Sequence, residues 1–297
     1  MKCAIKKSVA MFMLFAVLFF FVSCASIGRL GLNQASRAVP PLIDNVMGLD
    51  NSKLTKEGLP GLILLVSALL EFTPENLNLL STASLAYMAY GLMVEEDDPI
   101  YAGELYLKGK EYGLRALRTN KKLRKRLDKD GIKLIVAIGE VQDKKYVPAM
   151  FTTAMSWALW TFLNLHDAAA PIGLPTILAM VKQSEKIDES FFWGGAHFFY
   201  MAYNCVMPEF AGGGPKKAKA ALDKCLTFSE GQMMLPLVYY SKFYARPFEK
   251  RDVFHNSLTK VINFKTTRAD LMLVNEIAKV KARILLAQEE ELFQYAD

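Results

Sequence analysis

The sequence predicts an all-α protein, and three observations predict this class. From about residue 58 onward, apolar residues recur at the spacing of three and four that places them on one face of a helix. No segment alternates apolar and polar residues as a half-buried strand does. Gly (18) and Pro (12) are fewer than a sandwich or barrel with many tight turns needs. Disorder is excluded for most of the chain, because 52% of its residues are hydrophobic.

The N-terminus has the pattern of an export signal. Lys2, Lys6 and Lys7 precede an apolar run from residue 9 to 22, which is shorter than the roughly 18–20 residues that a spanning helix needs. Ser23 then precedes Cys24, and this ending resembles the lipobox of bacterial lipoproteins. The resemblance implies a signal peptide at 1–23, a lipidated Cys24 and a tether at 24–50; the alternative is an uncleaved anchor helix.

The charge does not favour nucleic acid as a partner. The formal net charge of +6 falls to +3 without the three leader lysines. No later apolar run of spanning length is recognised, so the sequence predicts an α-helical domain at 51–297 that is tethered by its N-terminus.

Four helices are predicted in the first half, at residues 59–72, 75–94, 99–118 and from 148 onward. The first is an apolar run. Thr73 is the predicted N-cap of the second, with Pro74 at its first helical position. Asp98 and Pro99 supply the same pair for the third, and Pro148 begins the fourth.

Six helices are predicted in the second half, from 175, and at 188–207, 215–228, 232–245, 249–261 and 268–293. Pro175 and Pro215 suit the first helical position, and Asp188 is the expected start of the helix after Pro175. Residues 212–214 are three glycines, which predict a flexible turn before Pro215. The last helix is the longest, because helical spacing continues from 268 to the end.

Two of these helix pairs carry a repeated pattern. A small, a bulky and a small residue follow each other at spacings of four and three, at Ala102, Tyr106 and Gly109 and at Ala218, Leu222 and Cys225. Tetratricopeptide-like hairpins place small residues where their helices cross. The pattern favours such hairpins at 75–94 with 99–118 and at 188–207 with 215–228, and a plain helical bundle remains the alternative.

Short motifs follow one another along residues 25–297: Pro74-Glu75-Asn76, the acidic run 95–98, Tyr112-Gly113-Leu114, Val147-Pro148-Ala149-Met150, Gly194-Gly195-Ala196-His197, Gly212-Gly213, and Ala282-Arg283 near the end. In this order, behind a lipobox, they resemble the T component associated with TRAP transporters.

The resemblance implies a periplasmic lipoprotein built as a right-handed superhelix of tetratricopeptide-like hairpins. Members of the family assemble as homo-oligomers such as trimers. They bind the solute-binding P component of a TRAP transporter, which imports small organic ligands with an ion gradient. The family has no known chemistry, so the resemblance implies no catalytic residue and no cofactor.

The residues give no independent indication of an enzyme. His166, His197 and His255 lie far apart, and neither an HExxH nor a paired-cysteine metal spacing is present. No GxSxG motif supplies a nucleophile. The expectation is therefore no catalytic residue and no metal ligand, with His197 as a packing residue.

Two polar segments suggest ligands but are better explained as turns. Residues 95–98 (Glu-Glu-Asp-Asp) contain carboxylates that a hard cation could use, but they lack the glycine and spacing of an EF-hand. The expectation is a solvated turn that caps the next helix. Residues 212–217 lack the ending of a phosphate loop and follow no strand.

A basic cluster is the strongest charge feature. It consists of Lys121, Lys122, Arg124, Lys125 and Arg126. An acidic patch on a protein partner and anionic lipid headgroups are the two functional interpretations. A solvated helix face is the alternative.

Aromatic residues are dense in the centre of the chain. Trp157 and Trp160 share one helix face, and Trp193, His197 and Tyr200 share another. Core packing explains most such residues. The functional interpretation is that these five line a cavity for an organic ligand, because Trp and His add a polar group to an apolar wall.

Cys205 and Cys225 fall on the two helices of the second hairpin. Export permits a disulfide, but Cys225 occupies a small crossing position, so two free buried thiols are expected. The combined hypothesis is an envelope lipoprotein, facing the periplasm, that docks a P component and holds or passes a mostly apolar ligand. The alternative is an envelope scaffold that binds peptide segments of partner proteins.

Overall fold

The computed structural model describes residue 41 and residues 45–294. Helices and turns account for these residues, and no strand occurs among them. The prediction of an all-α protein is confirmed. The predicted signal peptide, Cys24 and most of the predicted tether lie outside the described residues.

The α-helices of the described part are, in chain order, α1 (Ser52–Phe72), α2 (Leu77–Val94), α3 (Pro99–Arg118), α4 (Lys121–Asp128), α5 (Leu134–Ala137), α6 (Val147–Leu163), α7 (Leu174–Ile187), α8 (Phe191–Val206), α9 (Pro215–Phe228), α10 (Leu235–Tyr240), α11 (Arg251–Asn263), α12 (Met272–Ala287) and α13 (Glu289–Leu292). Short 3₁₀ turns join several of them, and a π-helical turn, Ser241–Ala245, follows α10 directly.

The caps of α2 and α3 follow from polar side chains at their starts. Asp98 caps α3, since its Oδ1 accepts a hydrogen bond of 3.0 Å from the backbone N–H of Tyr101. The predicted cap of α2 at Thr73 is wrong. The Thr73 backbone N–H and hydroxyl both bond to the Leu69 carbonyl and end α1. Asn76 caps α2 instead, because its side chain reaches the Leu79 N–H at 3.1 Å.

Helix α2 lies in the core of the first half. It packs against α1, α3 and α6, and most of its residues are buried. By length and composition it could cross a membrane, so the statement that no later run has spanning length is wrong. Burial explains the apolar composition, because a helix surrounded by other helices has no polar face.

Both predicted hairpins are present as packed pairs, α2 with α3 and α8 with α9. Small residues allow the close approach. In the first pair, a Cβ at Gly91 would lie 2.4 Å from Cε1 of Tyr106, and one at Gly109 would lie 3.1 Å from the carbonyl oxygen of Ser84. The superhelical arrangement of such hairpins stays a prediction.

The second half departs from the predicted boundaries at three places. Asp188 ends α7, because its N–H bonds to the Ser184 carbonyl at 2.8 Å, so the predicted helix start there is wrong. Helix α8 begins with a left-handed turn at Phe192, Trp193 and Gly194, whose φ angles are 52°, 53° and 74°. The predicted last helix is divided, because α12 ends at Ala287 and α13 begins two residues later.

One hydrophobic cluster runs through most of these helices. Helix α12 packs against α11 and also contacts α1, so the end of the chain closes against the first described helix. The side chains of α12 thereby come close to those of α2, and this contact creates the site described next.

Candidate functional site

An apolar cavity lies between α2, α6, α8, α10 and α12. Its lining includes Leu85, Met88, Phe151, Met155, Phe198 and Val274, and every residue that lines it is apolar. Four lining residues of α2 fall at 85, 88, 89 and 92, which is one face of a helix. The cavity is therefore assembled from faces that each helix presents to the core.

A groove with charged residues adjoins this cavity. Leu92 and Ile277 line both spaces, so the two meet at these side chains. The groove is bounded by α1, α12 and the turn after α2, and its charged lining residues are Lys53, Lys56, Glu96, Asp97 and Lys281. An apolar interior thus opens toward a polar rim.

A buried carboxylate, Glu95, stands behind the groove. Only 4% of its surface is exposed. Its Oε2 accepts hydrogen bonds from the hydroxyls of Tyr106 at 2.7 Å and Tyr239 at 2.9 Å, and its Oε1 accepts one from Nζ of Lys242 at 2.8 Å. Nζ of Lys281 lies 3.6 Å from Oε2. Each oxygen of the carboxylate therefore has at least one donor.

Glu96 completes the cluster. Its Oε1 is 3.0 Å from Nζ of Lys242 and 3.1 Å from Nζ of Lys281. Two carboxylates and two ammonium groups thus balance in charge, as a buried cluster requires. We call Glu95, Glu96, Lys242 and Lys281, with the two tyrosines, the buried ion cluster.

The contacts within the cluster set the charge states of Glu95, Lys242 and the two tyrosines. Burial alone would raise the pKa of Glu95, but the ammonium groups of Lys281 and Lys242 outweigh it and lower that pKa to about 2. For Lys242, the neighbouring Glu95 and Glu96 overcome burial and raise the pKa. Burial, followed by the charge of Glu95, raises the pKa of both Tyr106 and Tyr239 well above 10, so both hydroxyls stay protonated as donors.

The sequence interpretation of residues 95–98 as a solvated turn is wrong for its first half. Glu95 is buried and Glu96 half-buried, whereas Asp97 and Asp98 are exposed as expected. The sequence does contain a signal for this. Lys281 falls on the apolar face of α12, between the buried Ala278 and Ala282, and a lysine there needs a carboxylate partner.

The five predicted cavity residues lie at several places, and none lines the apolar cavity. Trp157 packs against Gly173 and has Nζ of Lys110 3.7 Å from its ring centroid. Trp160 lines an outer groove between α3 and α6. The indole N–H of Trp193 donates to Asp270 at 3.0 Å.

The remaining two, His197 and Tyr200, face the carboxylates of Glu185 and Glu189 on and after α7. The aromatic residues that do line the cavity are Phe151, Phe192 and Phe198. The density of aromatic residues was therefore a signal for the region, but it did not identify the side chains that face the cavity.

The predicted basic cluster forms α4. Asn120 caps this helix and Leu123 is its only buried residue. Nε and Nη2 of Arg126 bond to Oε1 of Glu140 at 3.0 and 2.7 Å, and Nη1 of Arg124 bonds to Glu75 at 2.8 Å.

The lysines of α4 are more open than its arginines. Lys122 lies 3.6 Å from Oε2 of Glu140, and 70% of its side chain is exposed. Lys121 and Lys125 are exposed and form no ion pair within the described residues. The helix therefore presents lysine ammonium groups to solvent.

Cys205 and Cys225 are free and buried, as the sequence predicts. Burial raises the pKa of each thiol to about 12, so neither is a thiolate at neutral pH.

The comparison with protein families gives a match over most of the chain. A family model described as TRAP transporter T-component matches residues 50–293. The matched range contains α1 to α13, the groove, the buried ion cluster and every cavity-lining residue except Met47. No curated protein shows significant similarity to the chain.

Proposed function

The chain belongs to the TRAP transporter T-component family, and from that premise we propose that it docks the solute-binding P component and holds or passes a small, mostly apolar organic ligand. Its role is that of an accessory in TRAP transport at the cell envelope. The family consists of transporter accessories, so we propose no reaction for it.

The apolar cavity is the observation that supports a ligand role. Its wall is entirely apolar, while the adjoining groove carries charged side chains from α1 and α12. The cavity measures about 40 Å³ and the groove about 170 Å³, so the ligand would lie mostly in the groove and place a small apolar end in the cavity, while its polar end remains near water. Leu92 and Ile277, shared by both spaces, would contact the ligand where it passes from one to the other.

The exposed lysines of α4 support a docking role. Lys121, Lys122 and Lys125 project from a short helix whose arginines are engaged by Glu75 and Glu140. A positive patch speeds the encounter with an acidic partner surface. We propose that this face meets the P component; binding to anionic lipid headgroups is the competing interpretation.

The remaining parts of the proposal concern placement and assembly. A lipid on Cys24 would attach the chain to a membrane, with the helical domain at 51–297 facing the periplasm. One acyl chain binds a membrane only marginally, so the several chains of a lipoprotein anchor it more firmly. The chain would act as a homo-oligomer such as a trimer.

A crosslinked pull-down from the native envelope tests the docking proposal. The tagged chain should capture a periplasmic solute-binding protein as its main partner, identified by mass spectrometry. Lys121→Glu with Lys125→Glu should lower that capture severalfold, whereas the matched pair Lys216→Glu with Lys265→Glu, also at exposed lysines, should not. Capture of envelope-assembly factors without any solute-binding protein would favour the peptide-binding scaffold instead.

A fluorescent apolar probe tests the ligand proposal. Ala89 lines the cavity, so Ala89→Leu should occupy space that the probe needs. One extra methylene in a hydrophobic pocket changes binding by about 1–3 kcal/mol, so probe binding should weaken by about 10–200-fold. Ala220→Leu makes the same change at an exposed position of α9 and should leave binding unchanged. Equal binding by both variants would contradict a ligand site in this cavity.

A further inference from the structure

The end of α7 and the face of α8 bring together one imidazole and two carboxylates outside the cavity. Glu185 is on α7, Glu189 follows its end, and His197 is on α8. Nε2 of His197 lies 3.1 Å from Oε1 of Glu189 and 3.8 Å from Oε1 of Glu185. All three ligand atoms lie within 4.8 Å of one another.

These separations fit a tetrahedral metal site. A zinc ion with bonds of about 2.0–2.1 Å holds its ligand atoms about 3.3 Å apart. The two distances from His197 lie on either side of that value. Two carboxylates this close also repel each other, and a cation between them removes the repulsion.

The imidazole is held in place before any ion binds. Only 4% of the His197 side chain is exposed, and its ring stacks on Phe228 with centroids 5.4 Å apart and planes 15° from parallel. Such fixed orientation is what a metal ligand needs, because little freedom is lost on binding.

Glu185 has a supporting partner as well. The hydroxyl of Tyr200 donates to its Oε2 at 2.7 Å, which leaves Oε1 directed at His197. Hydrogen bonds of this kind to the outer oxygen of a ligand carboxylate orient the inner one. His197 and Tyr200 are three residues apart on one face of α8, so a single helix supplies both the ligand and the support.

The ammonium group of Lys224 already lies beside the three candidate metal ligands. Nζ of Lys224 is 2.7 Å from Oε1 of Glu189, and 55% of the lysine side chain is exposed. A flexible, solvated lysine can move away when a divalent ion arrives. Lys224 therefore competes with a metal for one ligand atom without closing the site.

We propose that His197, Glu185 and Glu189 bind one divalent transition-metal ion of the zinc type, with a fourth position left for water. One imidazole nitrogen and two carboxylate oxygens are ligands that suit such ions. The ion ties the end of α7 to α8 across the left-handed turn at Phe192, Trp193 and Gly194. This inference is independent of the transport role.

The sequence shows no known metal-binding motif here, because Glu185, Glu189 and His197 are separated by the end of α7 and the turn that begins α8. The chain also contains a histidine–glutamate pair, His255 and Glu289, that does not form such a three-ligand group in the described part of the chain. Nδ1 of His255 is 2.8 Å from Oε2 of Glu289, but the histidine side chain is 54% exposed and Arg251 occupies the other oxygen of that carboxylate.

Titration calorimetry of the full chain in detergent, stripped with a chelator and then titrated with ZnCl₂, tests the proposal. The expected result is one Zn²⁺ per chain. His197→Gln should abolish this binding, and His255→Gln, the matched control, should preserve it. A chain that binds no Zn²⁺, or an unchanged titration in His197→Gln, would overturn the proposal.

Variants at more exposed positions guard against misfolding of the buried histidine variant. Glu189→Gln, whose side chain is 46% exposed, should weaken Zn²⁺ binding by at least about 10-fold while the circular dichroism spectrum stays unchanged. Lys224→Ala should tighten binding, since it removes the competing cation. Tyr200→Phe, at a positioning residue, should weaken it by about 10–100-fold. A Glu189→Gln chain that is folded and binds Zn²⁺ as well as wild type would refute the assignment.

Discussion

At Glu95, the cost of burying a carboxylate is opposed by hydrogen bonds and ion pairs to the same group. Removing a carboxylate from water costs several kcal/mol, and only close partners offset that cost. Here two tyrosine hydroxyls and the ammonium groups of Lys242 and Lys281 surround it. Removing one partner leaves the others buried without compensation, so the cluster behaves as a unit.

Glu95→Gln should lower the free energy of unfolding by about 3–5 kcal/mol, because it leaves Lys242 and Lys281 with one carboxylate between them. Urea denaturation followed by circular dichroism measures this loss. The matched control is Asp97→Asn, which breaks only an exposed ion pair with Lys56 and should cost at most about 1 kcal/mol. If both variants lost a similar free energy of unfolding, burial could not be the reason why Glu95 matters more than Asp97.

Lowering the pH should remove the contribution that ionised Glu95 makes to the free energy of unfolding. Its folded-state pKa of about 2 lies below the ordinary value of 4.5. The stabilisation is therefore complete above about pH 4.5 and is lost as the pH falls toward 2. Unfolding of wild type and Glu95→Gln, compared by urea denaturation from pH 7 to pH 3, should show a stability difference that narrows in acid. A difference independent of pH would be inconsistent with an ionised Glu95.

Among the helices, boundaries depend on competition between caps. Thr73 and Asn76 are both good N-caps, and the sequence cannot rank them, because the outcome depends on Thr73 being bound to Leu69 at the end of α1. Asp98 with Pro99 had no such rival, and the predicted start of α3 is correct. Composition and periodicity thus predicted which helices exist better than where they begin.

The left-handed turn at the start of α8 could not be predicted, because two of its three residues are aromatic. Phe192 and Trp193 have positive φ, a conformation that costs L residues roughly 1–2 kcal/mol each. The hydrogen bond from Trp193 to Asp270 and the packing of Phe192 on Phe151 offset this strain. Tertiary contacts therefore decided the local conformation.

Gly194→Ala should destabilise the protein by about 2 kcal/mol or more. Its φ is 74°, and an added Cβ would lie 2.6 Å from Cδ2 of Phe228. Gly61→Ala is the matched control, since Gly61 is exposed in the interior of α1 with open space around it, and it should stabilise by about 0.5–1 kcal/mol. The midpoint temperature of thermal unfolding should fall in Gly194→Ala and rise in Gly61→Ala if the turn is strained as described. A change of the same sign in both variants would refute this.

In the molecule as a whole, the candidate site combines parts that no local pattern relates. The cavity uses residues from 47 to 277, and the buried ion cluster joins residues 95 and 96 to 242 and 281. A sequence pattern reports the faces of each helix but not which faces meet. The sequence therefore predicted the all-α class and the family, whereas the five side chains that it singled out for a ligand do not line this cavity.

Membrane attachment gives a prediction for the chain outside the described residues. Cys24→Ser should abolish incorporation of a labelled fatty acid in living cells and move the chain out of the membrane fraction. Cys3→Ser changes a cysteine inside the predicted signal peptide and should leave labelling intact. Equal labelling of the Cys24→Ser variant and wild type would contradict lipidation at Cys24.

The buried ion cluster also imposes an order on how the chain completes its fold. The partners of Glu95 lie 144 and 147 residues further along the chain, and Lys281 is 185 residues beyond Glu96. Lys242 and Lys281 are synthesised well after Glu95 and Glu96, which lie in the turn between α2 and α3. A chain truncated before Lys281 would leave Glu95 and Glu96 with Lys242 as their one ammonium partner in the buried ion cluster, so we expect its remaining helices to pack less stably than in the full chain.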